Sequence, residues 1–99
     1  MNKYELAVII DPSLDEESLK AEFDKVTALI ARFNGTVEKV DDWGKRRLAY
    51  EIDKKNEGYY YFITISAEPS APREIEDRLR IMENVLRSLI IRLDEALLS

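Results

Sequence analysis

The strongest constraint on the fold is a hydrophobic period that changes along the chain. Residues 3–10 alternate, with Tyr4, Leu6, Val8 and Ile10 on one face and Lys3, Glu5, Ala7 and Ile9 on the other. From Leu19 the apolar positions step by four, three, four and three through Phe23, Val26, Ile30 and Phe33, a single helical stripe. Alternation then returns twice, over residues 46–52 and 59–66. A shorter helical stripe follows at Ile75, Leu79 and Met82, and a last alternating run spans Val85 to Leu93. A helix-period pattern does not fit a pleated strand, so the order reads βαββαβ.

The punctuation agrees with this order. Asp11-Pro12 stops the first strand, because proline removes a ladder donor. Ser13-Leu14-Asp15-Glu16 has the spacing of a capping box, a hydroxyl followed three residues later by a carboxylate. Asn34-Gly35 ends the first helix with residues that tolerate a left-handed backbone. Ser70 is placed to cap the second helix, with Pro72 in its first turn and Glu83-Asn84 beyond its end. Asp53 to Gly58 reads as a polar hairpin turn. Val37 and Val40 are three apart, so alternation fails between them, and a bulge near Val40 or at Gly44 restores the phase. Two helices then cover one face of a four-stranded antiparallel sheet, an α+β, ferredoxin-like arrangement. Right-handed crossovers give the strand order 4-1-3-2. The 99 residues suit one domain, 1–99, with 94–99 as a flexible tail.

Two helices cannot cover both faces of the sheet. Leu6, Val8, Tyr61, Ile63, Ile65 and Ile90 are expected beneath the helices. The open side then holds Lys3, Ala7, Ile9, Tyr60, Phe62, Arg87, Leu89 and Ile91. That is an apolar patch with cations at its edge, larger than a monomer usually leaves in water.

Catalysis is hard to place. The chain has no histidine and no cysteine, which removes the commonest acid–base residue, the commonest metal ligand and thiolate chemistry. It has no nucleophile elbow and no glycine-rich phosphate loop. Asp41-Asp42 and Asp15-Glu16-Glu17 read as a solvated strand end and a helix N-terminus rather than as an acid–base or metal site. A small hydrolase of the acylphosphatase type needs a phosphate-cradling loop with arginine after the first strand, and Asp11-Pro12-Ser13 is acidic there. The residues therefore predict no enzyme, cofactor, metal or small-molecule substrate. No apolar run approaches a membrane span, and the N-terminus lacks a signal peptide, so a cytoplasmic protein is expected.

Charge is distributed unevenly around a net value of -5. Residues 11–24 carry six acids and one lysine, residues 45–55 carry five cations and two acids, and residues 73–92 carry five arginines. Within this, Lys45-Arg46-Arg47 is a run of three cations on a strand. Arg46 and Arg47 must point to opposite faces. One reading is that an edge strand carries cations to discourage aggregation. The other is contact with phosphate.

Two nucleic-acid families share the topology. The RNA-recognition-motif family begins its third strand with a basic residue, glycine and base-stacking aromatics. Glu57-Gly58-Tyr59-Tyr60-Tyr61-Phe62 is a partial match, with Glu57 in place of the base and Tyr59 and Tyr61 phased toward the helices. A fuller match runs through Gly44-Lys45-Arg46-Arg47-Leu48-Ala49-Tyr50-Glu51-Ile52. This resembles the signature of the bacterial small-subunit ribosomal protein six family: glycine, any, basic, polar, leucine, small, tyrosine, any, isoleucine. The next position, Asp53, departs from the family's basic or small residue. Lys3-Tyr4-Glu5, Asp42-Trp43-Gly44, Gly58-Tyr59 and Asn84-Val85-Leu86-Arg87 are similar to that family as well.

The resemblance implies a structural, non-catalytic protein of the small ribosomal subunit. Members pair with small-subunit ribosomal protein eighteen and bind the central domain of the small-subunit ribosomal RNA, in the platform. On this basis Lys3, Lys45, Arg46, Arg47 and Arg87 are candidate RNA contacts, with Arg78 and Arg80 as weaker ones. Ile9, Tyr60, Phe62, Leu89 and Ile91 are candidates for apolar partner contact. Leu48, Tyr50 and Ile52 are expected to anchor the second strand to the core. The alternatives are an independent single-strand RNA binder of the recognition-motif type and a ferredoxin-like protein-interaction module that dimerises through its open face.

Overall fold

The computed structural model describes residues 2–52 and 55–93; the side chains of residues 48–52 and 55 fall outside that description, as does the expected tail at 94–99. The strands are β1 (Asn2–Ile10), β2 (Thr36–Ile52), β3 (Lys55–Ala67) and β4 (Val85–Arg92). The helices are α1 (Glu16–Arg32) and α2 (Ala71–Arg80). The sheet order is β2-β3-β1-β4, with every pair antiparallel. This is the expected ferredoxin-like topology.

The alternating pattern of β1 decides which face is buried. Leu6 pairs with Ile63 and with Ile90, and Tyr4 pairs with Ile65. Leu6, Ile10, Ile63 and Ile65 are fully buried, and Val8 nearly so. Val26 and Ile30 of α1 and Ile75 and Leu79 of α2 close the core from above. Each such side chain contributes about 1.5–3 kcal/mol on burial. Tyr61 belongs to this layer, with its ring 4.7 Å from Phe23.

The helix ends differ from expectation in detail. The capping residue of α1 is Asp15, whose carboxylate accepts from the Ser18 amide at 2.7 Å. Ser13 is held one turn earlier: its amide and hydroxyl both donate to Asp11, at 2.9 and 2.7 Å. A carboxylate is the better acceptor at a positive helix end, so the acid displaces the serine. At the other end the Gly35 amide donates to the Ile30 carbonyl and the Asn34 amide to the Ala31 carbonyl, with Asn34 at φ 63°. This double bond pattern is a Schellman motif. Gly35 is needed for space: a Cβ there would stand 2.8 Å from Ile30 Cγ2. In α2, Ser70 holds the cap position without a side-chain cap bond, and the helix stops at Arg80. Met82 therefore packs on the core from beyond the helix end.

Register shifts set the faces of the edge strands. In β2 the register shifts between Val37 and Lys39 and again between Asp42 and Gly44. The first shift lets Val37 and Val40 both sit on the helix side, opposite Ile65 and Ile63. In β4 the shift falls at Leu86, between the partners of Ile9 and Ile10. It turns Val85 toward the core rather than onto the face of Arg87, where simple alternation places it. The hairpin ladder also runs further than the polar turn predicts, to Ile52 opposite Lys55.

The register predicts opposite outcomes for two neighbouring tyrosines. Tyr61→Ala should cost roughly 3–5 kcal/mol of stability, as for other buried aromatics. Tyr60→Ala on the open face should cost about 1 kcal/mol. Urea unfolding of both variants checks the assignment, and equal losses would contradict it.

Candidate functional site

The open face is organised as cross-strand rows. Gly44, Tyr60, Ile9 and Arg87 form one row, read through successive pairings from β2 to β4. Asp41, Phe62, Ala7 and Leu89 form the next, and Lys39, Thr64, Glu5 and Ile91 the one after. All five apolar residues expected at a partner contact (Ile9, Tyr60, Phe62, Leu89, Ile91) therefore share this face. Leu89 and Ile91 are 53% and 50% exposed.

One residue of this face was not predicted. Trp43, the sole tryptophan, sits in the second β2 bulge and packs its ring 4.7 Å from Phe62. Tyr60 continues the tier, 6.5 Å from Phe62. Trp43 remains 53% exposed. Asp42 fixes the bulge by accepting from the Gly44 amide at 2.8 Å, and Gly44 takes a φ of +71° that suits glycine. The broken alternation between Val37 and Val40 signalled an irregularity, but not that it would add an aromatic to the open face.

The three consecutive cations separate as their spacing requires. Arg46 lies opposite Gly58 on the open face. Its Nε donates to the Trp43 carbonyl at 3.0 Å, and its guanidinium stands 5.7 Å from the Trp43 ring centroid. Lys45 points the other way, 5.6 Å from the centre of the Tyr59 ring. Arg47 lies opposite Glu57 and lines a shallow surface hollow with Asn56 and Glu57. Exposed cation–π contacts of this kind are worth about 0.5–1 kcal/mol, enough to orient a side chain without neutralising it. The anchoring expected from Leu48, Tyr50 and Ile52 lies outside the described side chains.

The remaining predicted cations do not form one patch. Lys3 and Arg87 share the open face but occupy opposite ends of β1, since Lys3 pairs with Ser66 and Arg87 with Ile9. Six residues of strand separate those positions, about 20 Å. Arg87 lies near the Arg46 end. Lys3 is tied to Glu38 at 3.2 Å, and Glu38 also accepts from the Ser66 hydroxyl. Arg78 and Arg80 belong to the helix layer. Arg78 and Arg32 each stand 5.9 Å from the Phe33 ring centroid, and Arg80 approaches Asp77 at 3.8 Å.

Sequence reasoning also missed Glu22, which is 4% exposed on α1. Its carboxylate accepts from the Asn84 side-chain amide at 3.1 Å, and the Asp11 amide donates to the Asn84 carbonyl at 2.9 Å. These bonds tie the start of β4 to α1 and to the end of β1. The signal was available: position 22 is three after Leu19 and four before Val26, on the buried stripe. Among the described residues no group of acids is arranged to hold a metal ion.

Comparison with known proteins gives this surface its context. The family model for ribosomal protein S6 matches residues 3–92. The chain belongs to the ribosomal protein S6 family. Small ribosomal subunit protein bS6 of Clostridium kluyveri is 49% identical over 92 residues, covering 93% of this chain and 97% of that protein. Its counterpart in Clostridium acetobutylicum is 45% identical over 95 residues, covering 96% and 100%. The crystal structure of 30S ribosomal protein S6 from Thermotoga maritima superposes with a TM-score of 0.89 at 30% identity, over 96% of this chain and 90% of that one. The C-terminal domain of MgtC from Mycobacterium tuberculosis, at 10% identity and a TM-score of 0.62, shares the fold alone. As a member of this family the chain is a ribosomal protein and not an enzyme.

The Glu38 cluster makes a pH prediction. The Ser66 hydroxyl first, then Lys3, hold the Glu38 carboxyl below the usual glutamate range. A depressed carboxyl contributes stability that is complete above its unfolded pKa and is lost as pH falls through the folded one. Glu38→Gln should therefore lower the urea midpoint near neutral pH. The gap to the parent chain should close as the pH falls below the usual glutamate range and the carboxyl protonates. A gap that persists at acid pH would show that the carboxylate form is not what stabilises this corner.

Proposed function

We propose that this chain is a structural constituent of the small ribosomal subunit in the cytoplasm, and that it binds the central domain of the small-subunit ribosomal RNA together with ribosomal protein eighteen. The supporting observation is the open face of a ribosomal-protein fold: an aromatic and aliphatic surface on which Trp43, Leu89 and Ile91 are exposed, with Arg46 and Arg87 toward one end. Ile9, Tyr60, Phe62, Leu89 and Ile91, now with Trp43, are the surface the protein partner covers. Lys45, Arg46, Arg47 and Arg87 lie toward the same end of the sheet and are the RNA contacts. Lys3 reaches phosphate by releasing Glu38, an exposed ion pair of small worth. Arg78 and Arg80, on the helix layer, contribute where RNA extends around that side.

An acidic chain is compatible with this role. Only one end meets phosphate, and a basic partner brings further charge. The recognition-motif alternative loses its stacking residues, because Tyr61 is buried against Phe23 and Tyr59 lies on the helix side beneath Lys45. The chain acts by docking shape-specifically as half of a heterodimer, with each phosphate contact adding a small, salt-sensitive increment.

Filter binding to a central-domain RNA fragment, with and without the partner, tests the heterodimer. The chain alone should bind weakly and the pair tightly; equal affinities overturn the proposal. For the pair, log affinity should fall with log salt at a slope of about -0.7 to -0.9 per phosphate neutralised. Arg46→Ala and Arg87→Ala should each reduce that slope by about one.

Trp43 supplies a second, optical test. Covering the open face should shift its emission to the blue when the partner is added. Unchanged emission on saturating complex formation places the partner elsewhere.

A further inference from the structure

The helix side of the sheet carries a second surface. Glu16, Glu17, Leu19, Lys20 and Phe23 of α1 face Asp42 and Tyr61 across an open trough of about 510 Å³. Its floor is apolar and aromatic: Leu19, Phe23 and the Tyr61 ring, with Phe23 and Tyr61 in contact. Its rim carries three carboxylates against one ammonium. On this same face of β2, two residues before Asp42, Val40 is 41% exposed. Lys45, over the Tyr59 ring, marks the far end.

The trough discriminates between occupants by charge. Nucleic acid is repelled, since phosphate would meet Glu16, Glu17 and Asp42 at close range. The chain's own C-terminal residues, Asp94-Glu95-Ala96-Leu97-Leu98, are apolar enough but carry the wrong sign. The Asp42 field is felt at the floor. Burial first, and then the neighbouring Asp42 carboxylate, push the Tyr61 phenol above its ordinary pKa. A cationic, extended chain with a large apolar side chain matches both rim and floor. Salt-bridged rim contacts then fix the register, and the apolar anchor supplies buried area.

We propose that the trough between α1 and β2 is a docking site for a lysine- and arginine-rich protein segment that lays one aliphatic or aromatic side chain over the floor of Leu19, Phe23 and Tyr61. This surface lies on the opposite face of the sheet from the apolar tier of Trp43, Phe62 and Tyr60. Both can be occupied at once. The proposal stands on the charge and shape of the isolated chain and does not depend on the ribosomal assignment of the open face.

The test titrates the full chain, isotopically labelled, with a short peptide alternating arginine and leucine. The controls are the same peptide with glutamate for arginine and a single-stranded RNA oligonucleotide. Amide shifts should concentrate on Glu16–Phe23 and Asp42, and neither control should produce them. Glu16→Gln combined with Glu17→Gln should weaken binding by about fivefold at low salt, the worth of two exposed charge pairs. Lys20→Gln should strengthen it by about twofold, a gain that no folding defect mimics. The proposal is overturned by shifts confined to Ile9, Tyr60 and Leu89, by affinities indifferent to all three charge changes, by RNA competing for the trough, or by no binding at about millimolar peptide.

Discussion

The β1–β3 register is the interaction on which the rest of the structure depends. Leu6 opposite Ile63 and Tyr4 opposite Ile65 place every second residue of both central strands beneath the helices. A slip of β1 by one residue would send Tyr4, Leu6 and Val8 into water and bring Glu5 and Ala7 under the helices. The cost would be several buried side chains at about 1.5–3 kcal/mol each. Because that register is held firmly, the opposite face inherits its composition by alternation. Ile9, Tyr60 and Phe62 lie half-buried on the open face as a geometric consequence of burying Ile10, Tyr59 and Tyr61 in part or in full. A functional surface is thereby specified by the same constraint that specifies the core.

The edge strand β2 is governed differently. Only β3 pairs with it, so its register can shift without disturbing the core. It uses that freedom at Glu38 and at Trp43, and the register shifts again between Arg47 and Ile52. The bulge near Glu38 keeps Val37 and Val40 on the helix side while Glu38 reaches Lys3 and Ser66. The bulge at Trp43 brings an indole onto Phe62 and sets the phase in which Arg46 returns to the open face. Bulges also bend and interrupt an edge that could otherwise template strand addition. The same irregularities that protect the edge therefore place the aromatic and the arginine most exposed to a partner.

How far the chain was legible follows from these two regimes. The core, the element order and the membership of the open face were readable because period two and period 3.6 are strong signals on strands buried against helices. The resemblance carried by Gly44 to Ile52 identified the family independently of packing. The local corrections all fall where a short-range competition decides the outcome. Asp15 outcompetes Ser13 as a cap because the helix dipole favours a carboxylate. Val85 turns inward because a bulge at Leu86 interrupts alternation. Trp43 joined the open face through a bulge whose effect on side-chain direction the pattern does not carry. The distance between Lys3 and Arg87 was implicit in the length of β1, whose opposite ends they flank. Glu22 was hidden for a chemical reason. A carboxylate on a helical stripe reads as solvent-facing until Asn84, distant in sequence, supplies the hydrogen bond that permits burial.

Charge asymmetry links these layers. Lys45, Arg46, Arg47 and Arg87 gather toward the end of the sheet where β1 stops, whereas Glu16, Glu17 and Asp42 line the trough between α1 and β2. The net charge of -5 averages over a cationic sheet end and an acidic trough. An acidic chain can approach polyanionic RNA only in orientations that turn the helix layer's acids away, because screening over roughly 8 Å leaves near charges dominant at physiological salt. The acids thus restrict the docking orientation as effectively as the cations promote it. They also leave a negative, apolar-floored trough on the helix side of β2, where phosphate is disfavoured. On the functional reading proposed above, one polarised domain touches RNA at one end of the sheet and protein on both of its faces.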